Sequence, residues 1–212
     1  MIASDLLQPE TGWARPSSVR LPAPPPRERG LLFRSASSAS RWFGRPDLPQ
    51  VFPVIHLNPR LFWGWLFFAS RLMPWGRLPA TVREKAILRV AWRCRSRYEW
   101  GQHVEIALRV GVRDQDIVTV TRAAEDIADA DDRLLMRACD QLCADKLIDD
   151  TTWQALAERY SRRDLIELVM LVGHYEMVAG VLINAGIDVE PPVERKLQAL
   201  YRRLEAAGAN GA

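Results

Sequence analysis

From Val51 onward, apolar residues recur three and four apart, in runs broken mainly by Pro, Gly and cap-forming residues. That spacing puts them on one face of an α-helix, whereas a half-buried strand needs strict alternation. No segment alternates between hairpin turns, and only Gln50–Leu57, QVFPVIHL, is ambiguous. The expected fold class is all-α, a helical bundle of about seven or eight helices. Residues 51–212 form this helical domain, and residues 1–50 a Pro- and Arg-rich N-terminal extension.

Boundary signals set the elements. Asn58-Pro59 joins an N-cap to a proline at the first helical position, opening a helix that should stop at Leu72, before Pro74. Thr81 with Glu84 opens the next, to Arg93, and Ser96 opens another that Gly111 ends. Shorter helices follow around Asp114–Arg122, over Asp131–Ala144, and from Asp150-Thr151 through Tyr160. Ser161 with Asp164 caps the longest helix, which ends at Gly186. Being apolar nearly all round, it is expected to be buried on most sides. Pro191-Pro192 precede an amphipathic tail helix. The extension carries PAPPP at 22–26 and a serine cluster at 35–40, and reads equally as a segment that wraps the domain or a neighbouring subunit and as a loosely ordered tail.

Composition narrows the function. A formal net charge of +3, with acidic and basic residues interleaved from Arg83 onward, excludes a nucleic-acid footprint, which needs a basic stripe with stacking aromatics. Three cysteines, Cys94, Cys139 and Cys143, are too few and odd in number for a disulfide framework and fit a reducing cytoplasm. Cys139 and Cys143 stand four apart without a second ligand pair, so a zinc site is not expected; both read as small buried hydrophobes. The most apolar segment, Leu61–Met73, contains Arg71 and is shorter than the ~20 residues of a membrane span. No signal pattern opens the chain, so a soluble, cytoplasmic protein without membrane or nucleic-acid partners is expected.

Chemistry concentrates in Thr81–Gly111, TVREKAILRVAWRCRSRYEWGQHVEIALRVG. Residues three or four apart share a helix face, so Ser96, Glu99 and His103 line up near the start of the second helix. Glu84 lies about as far before the turn as His103 lies after it, so antiparallel packing brings the two to one level. Two carboxyl groups and an imidazole then converge as a proton-transfer constellation. Each glutamate also has a structural role open to it, because Ser96–Glu99 and Thr81–Glu84 both have the form of a capping box. Glu84, Glu99 and His103 could also ligate a divalent metal. His174, in the apolar helix, needs a polar partner or a pocket. Trp92, Tyr98, Trp100 and Tyr175 either line a substrate pocket or are plain core.

The stretch REKAILRVAWRCRSRYEWGQHVEIALRVGV resembles the carboxymuconolactone decarboxylase family, related to the alkyl hydroperoxidase D group. The resemblance rests on a spacing of Glu, eleven residues, Cys or Ser, two residues, Cys or Glu, three residues and His, met by Glu84, Ser96, Glu99 and His103. It extends over roughly 51–191, taking in Leu165–Ile187 as a final core helix. It implies an alkyl hydroperoxidase D-like helical fold, a homo-oligomer (trimer or hexamer) and a cofactor-independent enzyme, and it does not itself imply a metal. In the peroxidase branch two of these positions are redox cysteines; here they are Ser96 and Glu99, which cannot cycle through sulfenic acid and disulfide. The form Tyr98-Glu99-Trp100-Gly101-Gln102-His103 is similar to the decarboxylase-type branch. The resemblance therefore implies acid–base chemistry on a small cyclic acid, lactone or carbonyl compound. His103 would be the acid or base, Glu99 its tuner and Glu84 its partner across the seam. Two rivals stand beside it: a non-catalytic helical scaffold, and a peroxidase using Cys94 with another thiol.

Overall fold

The computed structural model describes residues 6–30, 33 and 48–209. Among these there are nine α-helices and no strand. They are α1 (Val51–Ile55), α2 (Pro59–Leu72), α3 (Ala80–Arg93), α4 (Arg97–Arg109), α5 (Asp114–Thr121), α6 (Ala130–Asp145), α7 (Asp150–Ala157), α8 (Arg162–Ala185) and α9 (Pro191–Ala209). The count exceeds the expected seven or eight because the ambiguous Gln50–Leu57 segment also forms a short helix. The caps at Asn58 and Ser161 form as read, and Gly186 ends α8 in the left-handed conformation.

At the centre lies α3, packed against α4, α5, α6 and α8. It buries Ala86, Ile87, Leu88, Val90 and Ala91 together with Arg83, Glu84 and Arg89. A charged side chain that deep needs partners. Arg89 donates to both carboxylate oxygens of Asp140 on α6, at 2.7 and 2.6 Å, and to the carbonyls of Val120 and Arg122, at 2.5 and 2.7 Å. One arginine thus ties α3 to α6 and to the end of α5.

The longest helix, α8, departs from expectation. One face enters the core through Leu165, Leu168, Leu171, Val172 and Tyr175, but Ile166, Val169, Met170, Met177 and Val181 are exposed. Its neighbours cover one side only, and nothing among the described residues covers the other. By length and composition alone α8 could cross a membrane; 44% of its most apolar window is buried inside the fold.

The described part of the extension crosses the helical domain as a strap. Ala14 N–H donates to the Arg95 carbonyl (2.9 Å), and the N–H groups of Arg20 and Leu21 donate to the Ala185 carbonyl (2.8 and 3.1 Å). Trp13 packs edge-on against Trp92 and 6.0 Å from Trp100. Gly186 is needed here twice over: its φ is +72°, and a Cβ would stand 2.8 Å from Pro16 and 2.9 Å from the Ser18 carbonyl. The serine cluster at 35–40 lies outside the described residues.

Candidate active site at the α3–α4 hairpin

Helices α3 and α4 form the hairpin that the spacing requires, turning through Cys94–Ser96 with Arg95 at φ +57°. Glu84 and His103 meet across the seam, with His103 Nδ1 and Glu84 Oε2 2.7 Å apart and both side chains buried. That bond holds the ring by Nδ1, and Nε2 is the ring nitrogen that Glu84 does not hold. Arg83 Nε lies 3.5 Å from Glu84 Oε1, an immediate neighbour the sequence reading did not assign.

Neither glutamate acts as a helix cap, so the capping-box reading is corrected at both ends. The first, α3, begins at Ala80 with Pro79 at its N-cap, which puts Thr81 inside the helix and Glu84 beyond the first turn. Ser96 is the N-cap of α4 but makes no side-chain cap bond, and Glu99 turns into the interior. A cap needs a solvent-side approach to the helix end, and packing against the core takes Glu99 the other way. Both Glu99 oxygens are buried without a hydrogen-bond partner. Burial is the main reason its pKa lies well above the usual carboxyl value, with the nearby Cys94 adding to it. Burial in the fold therefore favours the neutral acid over the carboxylate at Glu99.

Tyr175 of α8 closes the group. Its ring stands edge-on to His103 at 4.9 Å, and its hydroxyl donates to Met73 Sδ at 3.7 Å. Its pKa is raised, first by burial and then by Glu84 and Glu99, so both carboxyl groups are felt at this phenol. His174 sits beside it, stacked on Trp65 and edge-on to Phe68. Burial, then the nearby His103, lowers its pKa to about 4, and its Nδ1 has no partner. At neutral pH it is uncharged, a spare polar group on the opposite wall.

The remaining aromatics divide. Trp100 is fully buried, with Nε1 3.3 Å from the Tyr201 hydroxyl, and joins Trp92 and Trp13 in a tryptophan cluster. Tyr98 faces away from the relay: its hydroxyl donates to Glu190 at 2.7 Å, and its ring borders a cavity of about 480 Å³ under the strap. Ser96 and Arg97 border that cavity too, while Glu84, Glu99 and His103 are not among its lining.

Cys143 is half-buried rather than buried, correcting its reading as core. Its thiol and that of Cys94 lie close enough to perturb one another, which lowers the pKa of Cys94 and raises that of Cys143. No spacing rule finds a pair so far apart in the chain, because only α3 packing on α6 brings them together. Cys139 is buried as expected. Among the described residues no group of three His, Cys, Asp or Glu is placed to hold a metal ion.

Comparison with known proteins bears out the fold and the family. A crystal structure of an uncharacterized peroxidase-related protein from Silicibacter sp. TM1040 superposes with a TM-score of 0.72 at 14% identity, over 89% of this chain and 97% of that one. At that identity the likeness concerns the fold alone, an all-helical, alkyl hydroperoxidase D-like architecture. No curated protein matches. The family model described as Carboxymuconolactone decarboxylase family matches residues 59–138, the span that holds Glu84, Ser96, Glu99 and His103. It is to this family that the segment is similar.

Proposed function

We propose that the protein is a cofactor-independent acid–base enzyme acting on a small cyclic organic acid, lactone or carbonyl compound. The observation that carries this reading is the buried Glu84–His103 bond with a partnerless Glu99, whose burial favours the acid form, four residues from His103 on the same helix. The imidazole Nε2 takes a proton from a carbon next to a carbonyl, and Glu84 steadies the ring from behind. Glu99 returns a proton elsewhere on the substrate. Decarboxylation, isomerisation and ring opening all use such a relay, and positioned acid–base groups contribute ~10²–10⁴-fold to a rate. A panel of lactones and β-keto acids, read by mass spectrometry, tests it. His103→Ala should lose turnover while keeping its helical circular dichroism, and unchanged turnover in that variant sinks the reading. We place this activity in a homo-oligomer, supported by the exposed apolar stripe of α8.

A second reading is favoured by the proximity of the Cys94 and Cys143 thiols, whose pKa values move in opposite directions. In it the two thiols reduce a hydroperoxide to an alcohol and water, becoming a disulfide as they give up two electrons and two protons. It predicts peroxide consumption that Cys94→Ser abolishes and His103→Ala need not. A non-catalytic scaffold would show neither activity.

A further inference from the structure

One face of the molecule takes no part in the proposed chemistry. The outer side of α8 exposes Val169, Met170, Met177 and Val181, each between 36% and 53% accessible, on a helix whose other side is core. Gly173 and Gly180 lie on the same exposed face, and no atom stands within 4 Å of where their Cβ would be. Glycine weakens a helix interior, so alanine would serve both positions better in an isolated chain. Nothing inside the fold accounts for either glycine. On an apolar stripe, missing side chains are gaps into which the side chains of another helix can sink.

The stripe complements its own reverse. Two antiparallel helices bring residues equally far on either side of a midpoint to one level. With the midpoint at Tyr175, Gly173 meets Met177 of the opposite helix and Gly180 meets Met170. Each long, flexible methionine then lies where the facing helix has no side chain. Val169 and Val181 share a level as well. Charge follows the same midpoint: Arg162, exposed at the start of α8, and Asp188, exposed just past its end, stand thirteen residues to either side of it. Neither makes an ion pair among the described residues. A lipid surface asks for no such match, whereas a second copy of this helix supplies every complement.

We propose that the outer face of α8 pairs with α8 of a second copy, antiparallel about a twofold axis at the level of Tyr175. The contact is isologous, so each residue pair occurs twice. This rests on the homo-oligomer placed above, whose contact it names, and not on the acid–base chemistry. His174 and Tyr175 turn inward from the same stretch of helix, so the second copy backs the wall that carries them.

Sedimentation velocity of the full chain over a range of concentrations, without substrate, tests it. The unmodified protein should be a dimer or an even-numbered assembly built from that dimer. Gly173→Glu should halve the mass, because its side chain has open space in the single chain and none in the pair. Circular dichroism checks that the variant folds; if it does not, Met177→Glu, at a position 53% exposed, decides instead. Charge reversal reads the register. Arg162→Asp and Asp188→Arg should each weaken association about fivefold, the usual size of a surface pair made twice, and the double reversal should restore it. A monomeric unmodified chain, free or floating with phosphatidylcholine vesicles, overturns the proposal, and so does a trimer. A mass unchanged in a folded variant, or a double reversal that associates no better than the single ones, also overturns it. Mass is read apart from turnover, so a catalytically silent protein can pass and an active one can fail.

Discussion

Replacing Glu99 by glutamine should make the protein more stable, and by an amount that grows with pH. Both carboxyl oxygens are buried without a partner, so the folded state favours the neutral acid. In the unfolded chain Glu99 loses its proton near the ordinary 4.5, while in the fold burial makes it keep the proton to a higher pH. Between these two values the folded state binds one more proton than the unfolded state. Stability then falls by 2.303RT, about 1.4 kcal/mol, per pH unit. The contribution is fully present below the unfolded value and is lost as pH rises through the folded one. Glutamine has nearly the same shape and does not ionise. The stability difference between Glu99→Gln and the unmodified chain should therefore be flat below about pH 4.5. Above that it should climb in favour of the variant by about 1.4 kcal/mol per unit, until the folded carboxyl ionises. Urea unfolding at half-unit pH steps from about 3.5 to 8, with a shared m-value, measures this directly. Parallel pH profiles for the two proteins would show that Glu99 is solvated or paired in solution, and the acid assigned to it would be lost.

His174 gives the opposite sign. Its folded pKa of about 4 lies below the ordinary 6.5, so its contribution is complete above pH 6.5 and lost as pH falls toward 4. His174→Phe should remove a fall of about 1.4 kcal/mol per unit across that window, seen in the same urea series. For the thiols, iodoacetamide at about pH 7.5 should label Cys94 before Cys143 or Cys139. The nearby Cys143 thiol lowers the pKa of Cys94, while burial pushes Cys139 up to about 12. Peptide mapping reads the order, and Cys143→Ala should slow labelling of Cys94. Finally, Arg89→Met strips Asp140 and two carbonyls of their buried partner and should cost about 3–5 kcal/mol in chemical unfolding. A loss below 1 kcal/mol would mean that the α3–α6 tie is not structural.

The amino-acid sequence alone determined the helices and one decisive contact. Asn58, Ser161 and Gly186 act through backbone groups within a turn of themselves, so their effect is legible wherever they occur. The meeting of Glu84 and His103 was legible for a related reason: a short turn makes the neighbouring helices antiparallel, and equal distances from that turn set their register. Tertiary structure decided the rest. Ser96 and Glu99 satisfy the capping-box pattern locally, yet burial against the core draws the carboxyl inward and leaves the helix end open. The Cys94–Cys143 pair, the strap seated on Gly186 and the bare outer face of α8 also depend on which helix lies against which. Local pattern reports what a residue can do within one turn of its own helix. Only packing of distant segments determines whether water, another side chain or nothing stands opposite it, and at Glu99 that choice favours the neutral acid.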